Sequence, residues 1–137
     1  MRIAIVHNEV KEDARIDEQD VLIQAEAITK TLQESGHNVF QLSCTLDLAW
    51  IKDRLESIKP DIVFNLVESL GGEDRLIHLF PGILDVMGIP YTGSNTEAIF
   101  LTTHKVLAKD RMSMSGIPTP AWAGPYPNDM PSMRCNM

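Results

Sequence analysis

The sequence predicts a domain of the α/β class, built on an open, parallel, Rossmann-like sheet with helices on both faces. Three observations carry that expectation. Short apolar runs at residues 2–7, 39–42 and 61–67 alternate with stretches whose apolar residues recur at helical spacing. The run at 61–67 leaves through Glu68-Ser69-Leu70-Gly71-Gly72, a glycine-rich exit of the kind at which open α/β sheets hold ligands. Gly36, Pro60 and Gly88 fall where helices in such an alternation must stop.

Taken in order, Arg2 to His7 is the opening strand, since Ile3, Ile5 and Val6 are β-branched and suit a buried pleated surface. Asn8 to Gln19 reads as a charged loop. Asp20 is a suitable N-cap for a helix from Val21 to Ser35, in which Val21, Leu22, Ala25, Ile28 and Leu32 share one face and Gly36 takes the C′ position. Val39 to Leu42 is a second strand. Leu48, Ile51, Leu55 and Ile58 mark a second helix that Pro60 stops, and Asp61 to Val67 is the third strand. In the loop after it, Gly71 and Gly72 lack a Cβ and let a ligand approach the backbone, while the amides opening the next helix are unpaired donors. Glu73 and Asp74 in that first turn suit the positive end of the helix dipole and compete with an anionic ligand for it.

Pro81-Gly82 predicts a kinked or split third helix, with Pro81 starting its second piece. Gly88 ends that helix, and Ile89 to Gly93 is a short extended segment in the fourth strand position. Ser94-Asn95-Thr96-Glu97 reads as a capping box, in which the serine hydroxyl and the glutamate each satisfy an orphaned amide, so a helix starts at about Asn95. A further helix from Thr102, with Val106, Leu107 and Met114 as apolar positions, runs to Gly116. Residues 123–137 hold Pro125, Pro127 and Pro131 with little apolar periodicity, and are expected to be irregular or disordered.

Composition bounds the function. A chain of 137 residues with 44% apolar content is one globular domain. Its net charge of −7 argues against nucleic-acid binding, which needs clustered Lys and Arg. No apolar run approaches the roughly 20 residues that span a bilayer, and no signal-type segment opens the chain, so no membrane association and a cytoplasmic location are expected. Cys44 and Cys135 are too few for a disulfide framework and lack metal-ligand spacing, so both are expected to be free thiols. The histidines at 7, 37, 78 and 104 form no paired motif, and no metal ligands are assigned.

Gly71-Gly72-Glu73-Asp74, then Gly88-Ile89-Pro90-Tyr91-Thr92-Gly93-Ser94, then Lys105 and Lys109, then Gly116-Ile117-Pro118-Thr119-Pro120 follow one another at characteristic spacing. In this the second half of the chain resembles the D-alanine–D-alanine ligases of the ATP-grasp superfamily. The resemblance implies a pre-ATP-grasp domain over 1–94, the start of the ATP-grasp portion over 95–122, and a tail over 123–137. It also implies an ATP-dependent carboxylate–amine ligase, in which a carboxylate is phosphorylated and an amine attacks the acyl phosphate, with ATP and magnesium as cofactors of the complete enzyme. Lys105 matches the lysine that supplies charge to phosphate oxygens, against the competing reading of an exposed helix lysine. Gly71, Gly72, Glu73, Asp74 and Ser94 match the substrate loops.

Two departures bear on the substrate. Glu68 stands where the family commonly has a histidine, and an ionised carboxylate neither donates a hydrogen bond nor tolerates an acyl phosphate, which points to a different substrate or orientation. A solvated loop glutamate is the bland alternative. After the first strand the family places a glycine pair, a serine and a substrate-orienting glutamate. Here His7-Asn8-Glu9-Val10-Lys11-Glu12-Asp13 has no glycine pair, and motif alone does not choose among Glu9, Glu12 and Glu18. Glu9 is the candidate by position, just beyond a strand's carboxyl end.

The family's adenine pocket, magnesium carboxylates and acyl-phosphate arginine lie downstream of the Pro-Thr-Pro segment, and residues 123–137 hold no carboxylate constellation for metal. The expectation is therefore the N-terminal, substrate-side portion of a ligase-like protein. It would be inactive and without tightly bound cofactor by itself, homodimeric like the family, and would serve a small amino-acid substrate in the complete enzyme. The alternative from another class is a non-catalytic Rossmann-like interaction or dimerisation module, ranked second.

Overall fold

The computed structural model describes residues 1–10 and 16–122, with the backbone alone for 16–18. Its centre is β1 (Arg2–Asn8), in which every residue from Ile3 to Asn8 is buried. A strand covered on both faces needs a continuous apolar run, and Ile-Ala-Ile-Val provides one. β1 pairs in parallel with β2 (Asn38–Cys44), from Arg2 opposite Asn38 to Asn8 opposite Cys44. On its other side it pairs in parallel with β3 (Ile62–Leu66), from Ile3 opposite Ile62 to His7 opposite Leu66. The order is β2-β1-β3.

The fourth strand position is reduced to one parallel bridge between Val63 and Tyr91. Val63 donates to the Pro90 carbonyl (2.8 Å) and Thr92 donates back to the Val63 carbonyl (3.0 Å). Pro90 has no N–H to extend the ladder, and Gly93 ends the segment.

α1 (Ile16–Glu34) packs on β1 and β2, with Val21 and Ala25 buried. It begins earlier than the sequence pattern suggests. Asp20 lies inside the helix rather than capping it, because Asp17, Glu18 and Gln19 tolerate helix and the acidic pair suits an N-terminal turn. α2 (Leu48–Ile58) matches its periodicity to the residue, burying Ile51, Leu55 and Ile58, and Asp47 caps it by accepting the Trp50 N–H at 3.0 Å.

The third helical stretch is split as expected, but the break precedes the proline. A 3₁₀ turn covers Asp74–Leu76, and α3 (Leu79–Met87) starts two residues before Pro81. Pro81 thus occupies the third helical position, still within the first turn where a missing N–H costs no helical bond.

α4 (Thr96–Thr103) and α5 (Lys105–Met114) follow. The capping box does not form: Asn95, not Ser94, is the N-cap, its side chain accepting the Ala98 N–H at 2.9 Å, and the helix starts one residue later. α4 stops because three successive side chains compete for its last carbonyls. Thr102 Oγ1 donates to Ala98 O (2.8 Å), Thr103 Oγ1 to Ile99 O (2.8 Å) and His104 Nδ1 to Phe100 O (2.8 Å).

The main core lies between the sheet and α2 and α3, where Val6, Cys44, Leu55, Val63, Phe80 and Leu84 meet. Ile3 and Ile5 alternate onto the opposite face, the side of α1. Among the described residues no helix is long and apolar enough to cross a membrane. Residues 11–15 of the expected charged loop, the tail over 123–137 and Cys135 lie outside the described residues, and the last part of that loop, from Ile16 to Gln19, is helix.

Candidate functional site

Parallel pairing sets the carboxyl ends of β1, β2 and β3 side by side, and a cleft of about 590 Å³ opens there. Its floor is built by side chains that tie the strand ends together. The Asn8 side-chain oxygen accepts the Glu68 N–H (3.3 Å), joining β1 to the loop after β3. Glu9 N–H donates to the Cys44 carbonyl (3.1 Å), joining β1 to the end of β2. His7 is buried and its Nδ1 donates to the Asn8 carbonyl (2.8 Å), which makes it a strand-end histidine rather than a ligand in the cleft.

One wall is the turn Leu70-Gly71-Gly72-Glu73. Leu70 N–H donates to Glu73 O (3.3 Å) and Glu73 N–H to Leu70 O (3.1 Å), with Leu70 anchored in the core. Both central residues have positive φ, 61° and 79°, the conformation that a two-residue turn of this hand imposes and that glycine adopts without strain. Gly71 carries a second constraint. A Cβ there would fall 2.6 Å from Leu46 Cδ1, so the turn approaches the opposite wall closely.

Glu9, Asp47 and Asp74 line the cleft together with Asn8, Thr45 and Ser69, and among the described residues no Lys, Arg or His lines it. Three carboxylates facing one space favour a cationic group such as an ammonium and disfavour a bare anion. One Asp47 oxygen is engaged by the α2 N-terminus. Cys44 also lines the cleft, but burial pushes its thiol up to about 12, so it stays neutral and is no nucleophile.

Of the residues that the sequence singled out, Glu9, Gly71, Gly72 and Asp74 come together here. Glu68 is exposed beside the cleft without lining it, its backbone held by Asn8. Glu73 is exposed and pairs with Arg75 at 3.2 Å. Ser94 is exposed ahead of α4, and Lys105 is exposed as the first residue of α5; neither lines the cleft. Asn8 and Asp47 were missed. The signal for Asp47 was present, since an aspartate immediately before an apolar helical period is an N-cap signature, and the end of a strand neighbouring β1 is a ligand position.

Among the described residues no group of three or more His, Cys, Asp or Glu could hold a metal ion. Lys105 is the first residue of α5, whose cap, His104, makes no side-chain capping bond.

No protein-family model matches the chain. It is 32% identical over 127 residues to the D-alanine–D-alanine ligase of Moorella thermoacetica, an alignment covering 90% of this chain and 38% of that protein. It is 35% identical over 109 residues to the D-alanine–D-alanine ligase of Aquifex aeolicus, covering 79% of this chain and 35% of that one. The crystal structure of D-alanine–D-alanine ligase from Bacillus anthracis complexed with ATP superposes with a TM-score of 0.65 at 22% identity, over 89% of this chain and 37% of that chain. The chain thus spans little more than a third of the length of these relatives.

Proposed function

Because the chain is D-alanine–D-alanine ligase-like in sequence and has the α/β fold of that family's N-terminal domain, we propose that it is the substrate-side portion of an ATP-dependent carboxylate–amine ligase. The observation that carries this reading is the cleft. It lies at the carboxyl ends of the strands, is walled by the glycine turn at 71–72, and is lined by carboxylates suited to the ammonium group of an amino acid. Glu9 and Asp74 are the residues that would hold that group, and the turn lets the substrate sit close against the backbone. Glu68, beside the cleft, is a further substrate contact in this reading, and an ionised carboxylate there accepts hydrogen bonds without donating them.

ATP supplies the phosphoryl group that activates a carboxylate in such ligases. No step through ATP or magnesium is assigned to the described residues, among which no group of three or more His, Cys, Asp or Glu could hold a metal ion. Lys105, at the start of α5, is the residue proposed to meet phosphate when the rest of an ATP-grasp unit is present. The same reading places the protein in the cytoplasm, as a homodimer, in the supply of peptidoglycan precursors.

The test is an ADP-release assay with D-alanine as substrate, run on the chain alone and on a mixture with the downstream part of a relative. The expected result is no turnover alone and turnover in the mixture, abolished by Glu9→Gln. A folded mixture that stays silent overturns the reading, and sedimentation of a clean monomer at micromolar concentration removes the dimer.

A further inference from the structure

We infer that Lys109 is a positioning residue, pinning the chain that leaves α5 and setting the course on which it runs onward. α5 ends in a glycine reversal: Gly116, at φ 71°, donates to the Ser113 carbonyl (3.0 Å) and Ile117 to the Met112 carbonyl (2.9 Å). That pair of bonds turns the chain back on the helix it has just left. Residues 117–122 consequently reach Lys109, which lies more than a turn inside α5.

Lys109 meets that segment at three points. Its Nζ donates to Thr119 Oγ1 (3.2 Å) and to the Pro120 carbonyl (3.2 Å), and it stands 5.7 Å from the centroid of the Trp122 ring. The segment needs an outside donor. Pro118 and Pro120 have no N–H, so the run cannot join a backbone ladder, and its carbonyls must be satisfied by side chains or water. An ammonium has three protons to give, and a cation over an indole face adds attraction that survives at partly exposed sites. Lys109 is accordingly half-buried.

Lys105 and Lys109 are one helical turn apart and so share a side of α5. They divide two tasks. Lys109 is committed to the outgoing segment, whereas Lys105 is exposed and available to an incoming anion. This second task rests on the ligase reading above; the pinning does not. In a complete ligase, loss of the pin would misdirect the segment that connects this domain to the remainder of the enzyme, lowering turnover without touching the substrate cleft.

The experiment uses the chain itself with Trp50→Phe, which leaves Trp122 as the sole tryptophan. Its emission and its quenching by acrylamide report whether the segment is held. Lys109→Met, which keeps the alkyl stem and removes the ammonium, is expected to shift Trp122 emission to the red and raise the quenching constant, with the far-ultraviolet dichroism unchanged. Lys109→Arg, which restores donors and the cation over the ring, is expected to return both signals to the parent values, and Lys105→Met to leave them alone. If Lys109→Met disrupts the helix, Thr119→Val carries the test, because it removes one of the two acceptors while sparing α5. Emission and quenching that stay at the parent values in Lys109→Met, or in a Thr119→Val protein standing in for it, overturn the inference, as does an equal shift in Lys105→Met. None of these readings depends on ligase activity, so failure of the pin and failure of the ligase proposal are told apart.

Discussion

A thiol at the edge of a ligand cleft is reactive only if it can give up its proton. Cys44 is 1% exposed, and burial raises its thiol from an ordinary 9.0 to about 12. In a Cys135→Ser protein, DTNB at pH 8 should label nothing while the chain is folded and one thiol after denaturation; prompt labelling of the native protein would contradict the packing. The stability consequence has a definite sign. The folded-state value lies above the unfolded one, so the contribution of the neutral thiol is complete below pH 9 and is lost as pH climbs from 9 towards 12. The urea midpoint should fall across that window, and fall less in Cys44→Ala.

Gly71 and Gly72 make a second residue-scale case, since both hold positive φ. Alanine at either should cost about 1 kcal/mol in chemical denaturation, from backbone strain alone. Gly71→Ala should also displace Leu46, whose exposed side chain can rotate away from the 2.6 Å contact, so its extra effect falls on the shape of the cleft. A change within error at both positions would show that the turn is not held as described. The glycines were legible in the sequence as a place of close approach. That their partner is Leu46, across the cleft, was not.

Among the elements, α2 was read correctly to its ends because Pro60 and a clean apolar period agree. The start of α4 was read one residue early. Ser94 and Asn95 are both good cap residues, and local pattern does not choose between them. The choice is made by packing: Asp85 on α3 accepts hydrogen bonds from Tyr91 Oη (2.9 Å) and Thr96 Oγ1 (2.5 Å), which fixes the approach of the chain so that Asn95 faces the Ala98 amide. Asn95→Ala should therefore cost about 1 kcal/mol, and Ser94→Ala less than about 0.5 kcal/mol. The reverse order in thermal or urea unfolding would restore the capping box. The fourth strand shows the same limit, since an extended run interrupted by Pro90 forms one bridge rather than a ladder.

At the scale of the whole molecule, the one residue proposed to meet a nucleotide is Lys105, an exposed lysine. Such a contact is worth on the order of 1 kcal/mol or less, whereas micromolar affinity needs about −8 kcal/mol. Mg-ATP should thus bind this chain no better than millimolar by calorimetric titration, and a low-micromolar dissociation constant would place a nucleotide site within it. Lys105→Ala should leave the unfolding midpoint unchanged, as befits an exposed side chain. The sequence by itself determined the alternation of strands and helices, the burial of β1 and of Ile51, Leu55 and Ile58 on α2, and the likeness to the ligases, because periodicity and stop signals are properties of neighbours along the chain; Leu22, Leu107 and Met114, read as apolar-face positions, are exposed. Only the tertiary structure decided that β1 lies between β2 and β3, that Glu9, Asp47 and Asp74 border one cleft, and that Lys109 holds Trp122 while Lys105 stays exposed. Periodicity tells which face a residue takes and is silent about which distant residue meets it there; that is set by the parallel pairing that aligns the ends of strands remote in sequence.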